Sequence, residues 1–323
     1  MNGLDAALRA TAIADRSQLG RMVATGPDLL GLLHRLSTGD VKALRPGEGR
    51  PTVLTSAKGR IVERLSVHHL GADGVLLVAG PGAAERVLAH LLKFTFAEDT
   101  GLTDVSNATF ALALLGPLWE ASAKAAGIPD LAPYGSASCA IAGASLQVVR
   151  TNGYDGDGAL VIGAREQVGA VQAALVGAAE AVGGAFIAPE ALESWRILRG
   201  LPAPGHELTE DHNPLEAGLL EAVSFTKGCY VGQEVVARLN TYGKVSRSLV
   251  RLLLPSGAPV PAAGASVLVG GVVVGSVTSA IRPPGRSEPA ALAYVKTREV
   301  EGADRAVEID VDGRRQPAVI VRA

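Results

Sequence analysis

Cysteine, aromatic residues and an excess of charge of either sign are all scarce in this chain. Its two cysteines, Cys139 and Cys229, stand 90 positions apart in 323 residues, which excludes a disulfide framework. Two thiols also fall short of the four that usually hold an iron–sulfur cluster, so any such cluster would need ligands from a partner or a second copy. Aromatics make up 4% of a composition that is 48% hydrophobic, so the cores must be built from Ala, Val and Leu. Lys+Arg 30 against Asp+Glu 32 leaves a formal charge of −2, which argues against direct nucleic-acid binding. No apolar run reaches membrane-spanning length: the longest Ala/Val-rich stretch, around 168–188, carries Gln172 and Glu180. The first residues, Met1-Asn2-Gly3-Leu4-Asp5, show no basic region followed by an apolar one, so no secretory signal is read. A soluble cytoplasmic protein with no membrane attachment is expected.

Abundance lies elsewhere. Gly 39 and Pro 18 imply many turns, and the length suits two or three domains. Leu29, Leu30, Leu32, Leu33 and Leu36 recur at helical spacing after the turn Gly26-Pro27-Asp28. Strands are expected at 52–55, 61–67 and 74–79, then a helix from Pro81-Gly82 through Leu92. This strand–strand–strand–helix rhythm predicts α+β packing rather than alternating βαβ units. Further strands are expected at 104–106 and 109–115, with a helix opening near Trp119. A hairpin over 138–150 and 159–162 and helices over 166–182 and 189–198 follow. After Lys244 short apolar strands separated by Gly/Pro-rich turns predict a small antiparallel barrel or sandwich. The reading divides the chain into a large region, 1–245, and a barrel, 246–323.

The densest chemistry is Phe225-Thr226-Lys227-Gly228-Cys229-Tyr230-Val231-Gly232-Gln233-Glu234. If Cys229 lies in the first turn of the helix that this run can open, unpaired N–H groups and the helix dipole would favour thiolate over thiol. Lys227 would push the same way if close in space. The plain alternative is a cysteine that fills core. One of Gln233 and Glu234, about a turn further on, would face the same pocket or else the helix surface; Tyr230 reads more readily as core than as a lid. Cys139 has no basic neighbour and reads as core, and His68-His69 and His212 lack metal-ligand spacing, so no metal site is expected.

Taken with four other segments, this motif resembles the folate-binding proteins related to the glycine-cleavage T-protein. It is most similar to their YgfZ-like branch of iron–sulfur cluster assembly and repair factors, whose signature is Lys-Gly-Cys-Tyr-x-Gly-Gln-Glu. The other segments are Gly26 to Val41, Lys58-Gly59-Arg60-Ile61, Arg196-Ile197-Leu198-Arg199-Gly200-Leu201-Pro202, and Asn213 to Gly218 with Gly243-Lys244-Val245 further on. The resemblance implies a T-protein-like folate-binding fold of two packed α+β subdomains followed by a small C-terminal antiparallel β-barrel. It also implies tetrahydrofolate or a derivative as ligand, held with help from Arg196 and Tyr154 and with Gln233 and Glu234 near it. Cys229 would be the reactive centre and Lys227 its activator. Partners would be iron–sulfur client or assembly proteins, the clients including enzymes that modify tRNA.

Two departures separate the branches. Where aminomethyltransferases of the family carry an Asp-Asp pair, one member of it catalytic, this chain reads Glu63-Arg64. Glu63 is longer by a methylene, and positioning errors of about 1 Å suffice to collapse such a reaction. The family's Gly-Tyr-Thr-Gly-Glu-Asp-Gly turn is one residue shorter here, at Gly153 to Gly158, and reaches Leu160 where a folate-facing acid is expected. Support of iron–sulfur clusters is therefore the leading expectation. The alternatives are an aminomethyltransferase of the glycine-cleavage system and a non-catalytic folate-binding scaffold.

Overall fold

A computed structural model describes residues 2–153, 156–300 and 305–321. The chain begins with helix α1 (Gly3–Arg9) and strand β1 (Ala12–Asp15), then enters a first five-stranded sheet. That sheet is made of β2 (Leu19–Thr25), β3 (Gly49–Thr55), β4 (Ile61–His69), β5 (Val75–Pro81) and β6 (Gly101–Asp104), in the order β3-β4-β5-β2-β6. Helices α2 (Leu29–Leu36) and α3 (Ala84–Leu92) pack on it. A second, six-stranded sheet takes β1 together with β7 (Thr109–Leu115), β8 (Ser136–Ile141), β9 (Ala144–Gly153), β10 (Gly156–Ala164) and β11 (Ala185–Phe186). Its helices are α4 (Trp119–Ala125) and α5 (Val168–Glu180), and α6 (Pro189–Leu198) follows. After α7 (Gln233–Thr241), the strands β12 (Arg247–Leu253), β13 (Ser266–Val269), β14 (Val272–Ile281), β15 (Ala290–Lys296), β16 (Arg305–Val311) and β17 (Arg314–Val321) close into an antiparallel barrel. The α+β fold with a terminal barrel is thus present. Among the described residues no helix is long and apolar enough to cross a membrane.

The two sheets share one core, which explains why their strands read as continuous apolar runs rather than alternating ones. Along β7, Ala111, Ala113 and Leu115 face the shared core, while Phe110, Leu112 and Leu114 face α4 and α5. Along β5, Leu76 and Val78 face the shared core, and Val75, Leu77 and Ala79 face α2 and α3. β1 and β2 follow each other in sequence yet belong to different sheets, so the second sheet is assembled from segments on both sides of the first. Arg21 fixes that crossover. Fully buried on β2, it donates from Nε to Thr109 Oγ1 (2.9 Å) and from its two Nη atoms to the carbonyls of Ser17, Leu19, Ser106 and Thr109. Burial pushes its pKa down to about 10, still far above neutrality.

The barrel docks through a second buried arginine. Arg196, in the last turn of α6, was expected to reach a folate; instead its donors are taken by the protein. Nη1 donates to Leu201 O and to Glu207 Oε2, both at 2.9 Å, Nη2 to Ser279 Oγ at 2.9 Å, and Nε to Glu193 Oε2 at 2.8 Å. Glu207 is fully buried and also accepts from Ala203 N and from the hydroxyls of Thr278 and Ser279 on β14. Burial opposes the charge on Arg196, but the bonds to Glu193 and Glu207 outweigh it and the net shift is upward. Around this pair β15 is buried on both faces. Ala291, Ala293 and Val295 fill the barrel, while Ala290 and Leu292 pack on Ile197 of α6. Removing one member of a buried ion pair leaves the other unpaired in low dielectric, at a cost of about 3–5 kcal/mol. Arg196→Met should therefore lower the unfolding free energy by roughly that amount, read by chemical denaturation; a change under about 1 kcal/mol would show that the pair is not what docks the barrel.

Candidate functional site

Strand alternation decides which residue of Glu63-Arg64 faces the space between the sheets. In the β3–β4 ladder Arg64 lies opposite Val53, which belongs to the shared core, and Glu63 lies opposite Leu54, which faces the helices. Glu63 is accordingly buried on the helix side. Its carboxylate pairs with Arg86 of α3 and accepts from the N–H groups of Arg64 (3.1 Å) and Gly80 (3.4 Å). Arg64 lines an apolar cavity between the sheets, with Leu19, Val78, Leu115, Leu160 and Tyr134 among its neighbours. The polar side chains lining it, among the described residues, are those of Arg64, Ser66, Tyr134 and Thr151; none is a carboxylate. Water-sized access amounts to about 30 Å³, room for about two waters.

The guanidinium of Arg64, only 5% exposed, belongs to the wall of this cavity. It donates to Gly153 O (3.1 Å) and Asn152 O (2.6 Å) at the end of β9, and reaches Glu221 Oε1 at 3.4 Å. Asn152 Nδ2 donates to the other oxygen of Glu221 at 3.3 Å. Tyr134 stands beside the same charges in a left-handed conformation (φ 59°), and burial, then Glu221, push its phenol pKa upward. Its carbonyl accepts the Nδ1 proton of His68 (3.0 Å), which leaves Nε2 to accept from Ser66 Oγ. Neither Tyr134 nor Glu221 stands out in the sequence. Pro133-Tyr134-Gly135 reads as an ordinary turn, and Glu221 is a lone acid ahead of the cysteine motif.

The cysteine motif sits away from this cavity. Cys229 is an exposed free thiol in the irregular segment before α7. It does not lie in the first turn: the helix starts at Gln233, because Gly232 takes a left-handed conformation (φ 81°) as its N-cap. A Cβ on Gly232 would come within 2.5 Å of Ser56 O, so only glycine fits there. Lys227 does not spend its donors on the thiol. Its ammonium binds the carbonyls of His34, Ser37 (2.7 Å) and Gly39 (2.9 Å), capping the C-terminal end of α2 where unpaired carbonyls favour a cation. Burial lowers its pKa to about 8, with Asp40 opposing, and it also lies 5.1 Å over the ring of Tyr230. Tyr230 is buried, as core. Val231 completes the anchorage, its N–H donating to Arg35 O and its carbonyl accepting from Thr55 Oγ1.

Of the other expected ligand-holding residues, Gln233 is half-buried and Glu234 exposed at the start of α7, and neither lines the cavity. Arg196 is committed to the barrel, and Tyr154 lies outside the described residues. Cys139 is half-buried on β8 against the core of the second sheet, and burial pushes its thiol pKa up. His212 is packed, its ring stacked on Tyr294 with centroids 3.5 Å apart.

His68 gives the site a pH signature. It is fully buried, and desolvation pushes its pKa from 6.5 down to about 4. Between those values the unfolded chain binds the proton that the native one excludes. The stability it contributes is present above pH 6.5 and is lost as pH falls toward 4, by roughly 3 kcal/mol in all. His68→Gln should flatten that limb of the stability-versus-pH curve; an unchanged slope would place the titration elsewhere.

Comparison with known proteins bears on this geometry. Residues 4–227 match the GCVT N-terminal domain, and residues 247–323 the glycine cleavage T-protein C-terminal barrel domain. An aminomethyltransferase of Streptomyces coelicolor is 31% identical over 315 residues, covering 95% of this chain and 84% of its own. One from Thermus thermophilus is 32% identical over 318 residues, covering 97% and 86%. A putative chloroplastic transferase of Arabidopsis thaliana is 30% identical over 307 residues, covering 91% and 67%. The crystal structure of the glycine cleavage system aminomethyltransferase T from Bartonella henselae superimposes with a TM-score of 0.83 at 23% identity, covering 99% of this chain and 87% of that one.

Proposed function

The chain belongs to the glycine-cleavage T-protein family, and from that premise we propose that it binds tetrahydrofolate or a derivative at the cavity between the sheets. We further propose that it supports the assembly, maintenance or repair of iron–sulfur clusters in client enzymes, tRNA-modifying ones among them, with Cys229 as the reactive centre. The observation that carries this reading is Arg64: the strand position facing the cavity holds a buried cation, and the neighbouring acid is turned away and paired. A carboxylate there could accept a proton or stabilise a cationic intermediate; a guanidinium, a donor that stays charged, can do neither. The exposed thiol of Cys229 is available for chemistry, within a motif similar to that of the YgfZ-like branch. Lys227 would hold its loop on the end of α2.

The chemistry of the cavity lining, though not its present volume, suits a flat, largely apolar ring. Leu19, Val78, Leu115 and Leu160 would flank it, and Arg64 or Tyr134 would donate to a carbonyl acceptor at its edge. Bound folate supplies one-carbon-accepting nitrogens. With space for only about two waters, these side chains must move aside to admit the ring.

A second reading is aminomethyl transfer to folate from an aminomethyl-lipoyl carrier. The names of the curated relatives favour it over iron–sulfur support, and Arg64 is what stands against it.

Two experiments test the first reading. In a deletion strain, iron–sulfur enzyme activities should fall and be restored by the wild-type gene but not by Cys229→Ala. Full rescue by the alanine variant would remove the thiol from the account, and no loss on deletion would remove the cluster role. Calorimetric titration with tetrahydrofolate should show binding that Arg64→Met weakens by about tenfold, the worth of one charge-assisted hydrogen bond; no heat at millimolar ligand would contradict folate binding.

A further inference from the structure

Helix α7 buries unusually little of itself. An amphipathic helix of a globular protein normally turns a wide apolar stripe inward, yet of the nine residues here only Val236 is buried. Val235 and Arg238, with Tyr242 at the C-cap, recur at i, i+3 and i+7 along one side, and all three are exposed, Tyr242 at 64%. In the segment leading to the helix, Leu220 and Phe225 are exposed as well, and so is the thiol of Cys229.

The rim of this face is basic. The turn carrying Lys58 packs on the helix, since a Cβ built on Gly59 would lie 3.1 Å from that of Val235. Lys244 sits 5.6 Å over the ring of Tyr242, and Lys58, Arg238, Lys244 and Arg247 are all exposed. Between residues 220 and 247 the exposed acids are Glu221 and Glu234, against exposed Arg238, Lys244 and Arg247 with Lys58 beside them, in a chain whose net charge is −2. Positive charge is therefore concentrated here rather than general.

We propose that the face made by α7, the Lys58 turn and the Cys229 segment is the docking surface for a partner protein whose contact surface is acidic around an apolar centre. Tyrosine and arginine with apolar neighbours at the middle and charge at the rim is the anatomy of a protein–protein interface. A second copy of this chain is a poor occupant, because a twofold contact would set the same cations against each other. The thiol then lies at the edge of the contact, where it meets whatever group the partner carries. The inference rests on this face alone and holds for either reading of the reaction.

The test places a photo-crosslinking amino acid at Val235 or at Tyr242 of the full-length chain in its source cells, with Val272 of the barrel, 60% exposed, as control position. Both positions should capture the same protein, one of net negative charge, and the control should not. With that protein purified, dissociation constants should rise about tenfold between low and physiological salt. The double variant Arg238→Glu/Lys244→Glu should weaken binding by at least about tenfold at unchanged melting temperature. Cys229→Ala should leave the crosslinks in place, which separates failure of the docking face from failure of the thiol chemistry. Capture of RNA, of a second copy or of nothing above the control, or binding indifferent to salt and to charge reversal, would overturn the proposal.

Discussion

The buried ion pair of Arg196 and Glu207 is the constraint on which the arrangement of the whole chain depends. It joins the end of α6 to the barrel strand β14, and it sets the path of the segment between residues 199 and 223. That segment then ties every unit together. His212 O accepts from Ile61 N of the first sheet, Glu216 O from Leu249 N of the barrel, and Tyr294 Oη donates to Glu207 O. Such a pair repays its desolvation only when its remaining lone pairs and protons are satisfied. Here Glu193, Ser279, Thr278 and the amide of Ala203 meet that condition. An arginine so engaged is a fixed part of the scaffold.

The same segment delivers Glu221 to Arg64 and then runs on to Cys229. The cavity and the thiol are thus served by one stretch of chain but differ in environment. The cavity is apolar, small and lined by a buried guanidinium; the thiol is exposed and stands ahead of a sparsely buried helix. Because consecutive residues of a strand face opposite ways, Glu63 and Arg64 serve different sides of the sheet. The acid faces the helices, and the cation faces the cavity.

Much of the fold was legible because its periodicities are plain. The leucines of α2, the apolar runs of β4, β5 and β7 and the span of α6 followed from spacing and turn residues. The first twenty residues were not legible: α1, β1 and the start of β2 are short and rich in Ala and Gly, and what orders them is contact with distant strands rather than local preference. The stretch at 138–150 proved to be two strands, since Ala142-Gly143 forms a tight turn that leaves no break in the apolar pattern. At the site, the cysteine motif was visible as a motif, but its geometry was not. A lysine two residues from a cysteine suggests a partnership, whereas the fold directs that lysine to the end of α2. The pairing of Arg196 with Glu207 was hidden for a related reason, because Glu207 has no local signal and becomes its neighbour only when the barrel docks.

The proposal turns on Arg64, a buried cation at the cavity position where aminomethyl transfer would call for a carboxylate. The most direct measurement is tetrahydrofolate-dependent release of ammonia from an aminomethyl-lipoyl carrier, using the purified chain at high concentration beside an aminomethyltransferase of the family as control. The account predicts no turnover above the uncatalysed rate. Turnover within about a hundredfold of the control, a loss smaller than removal of one catalytic acid or base typically causes, would show that the carboxylate is not needed and would contradict it.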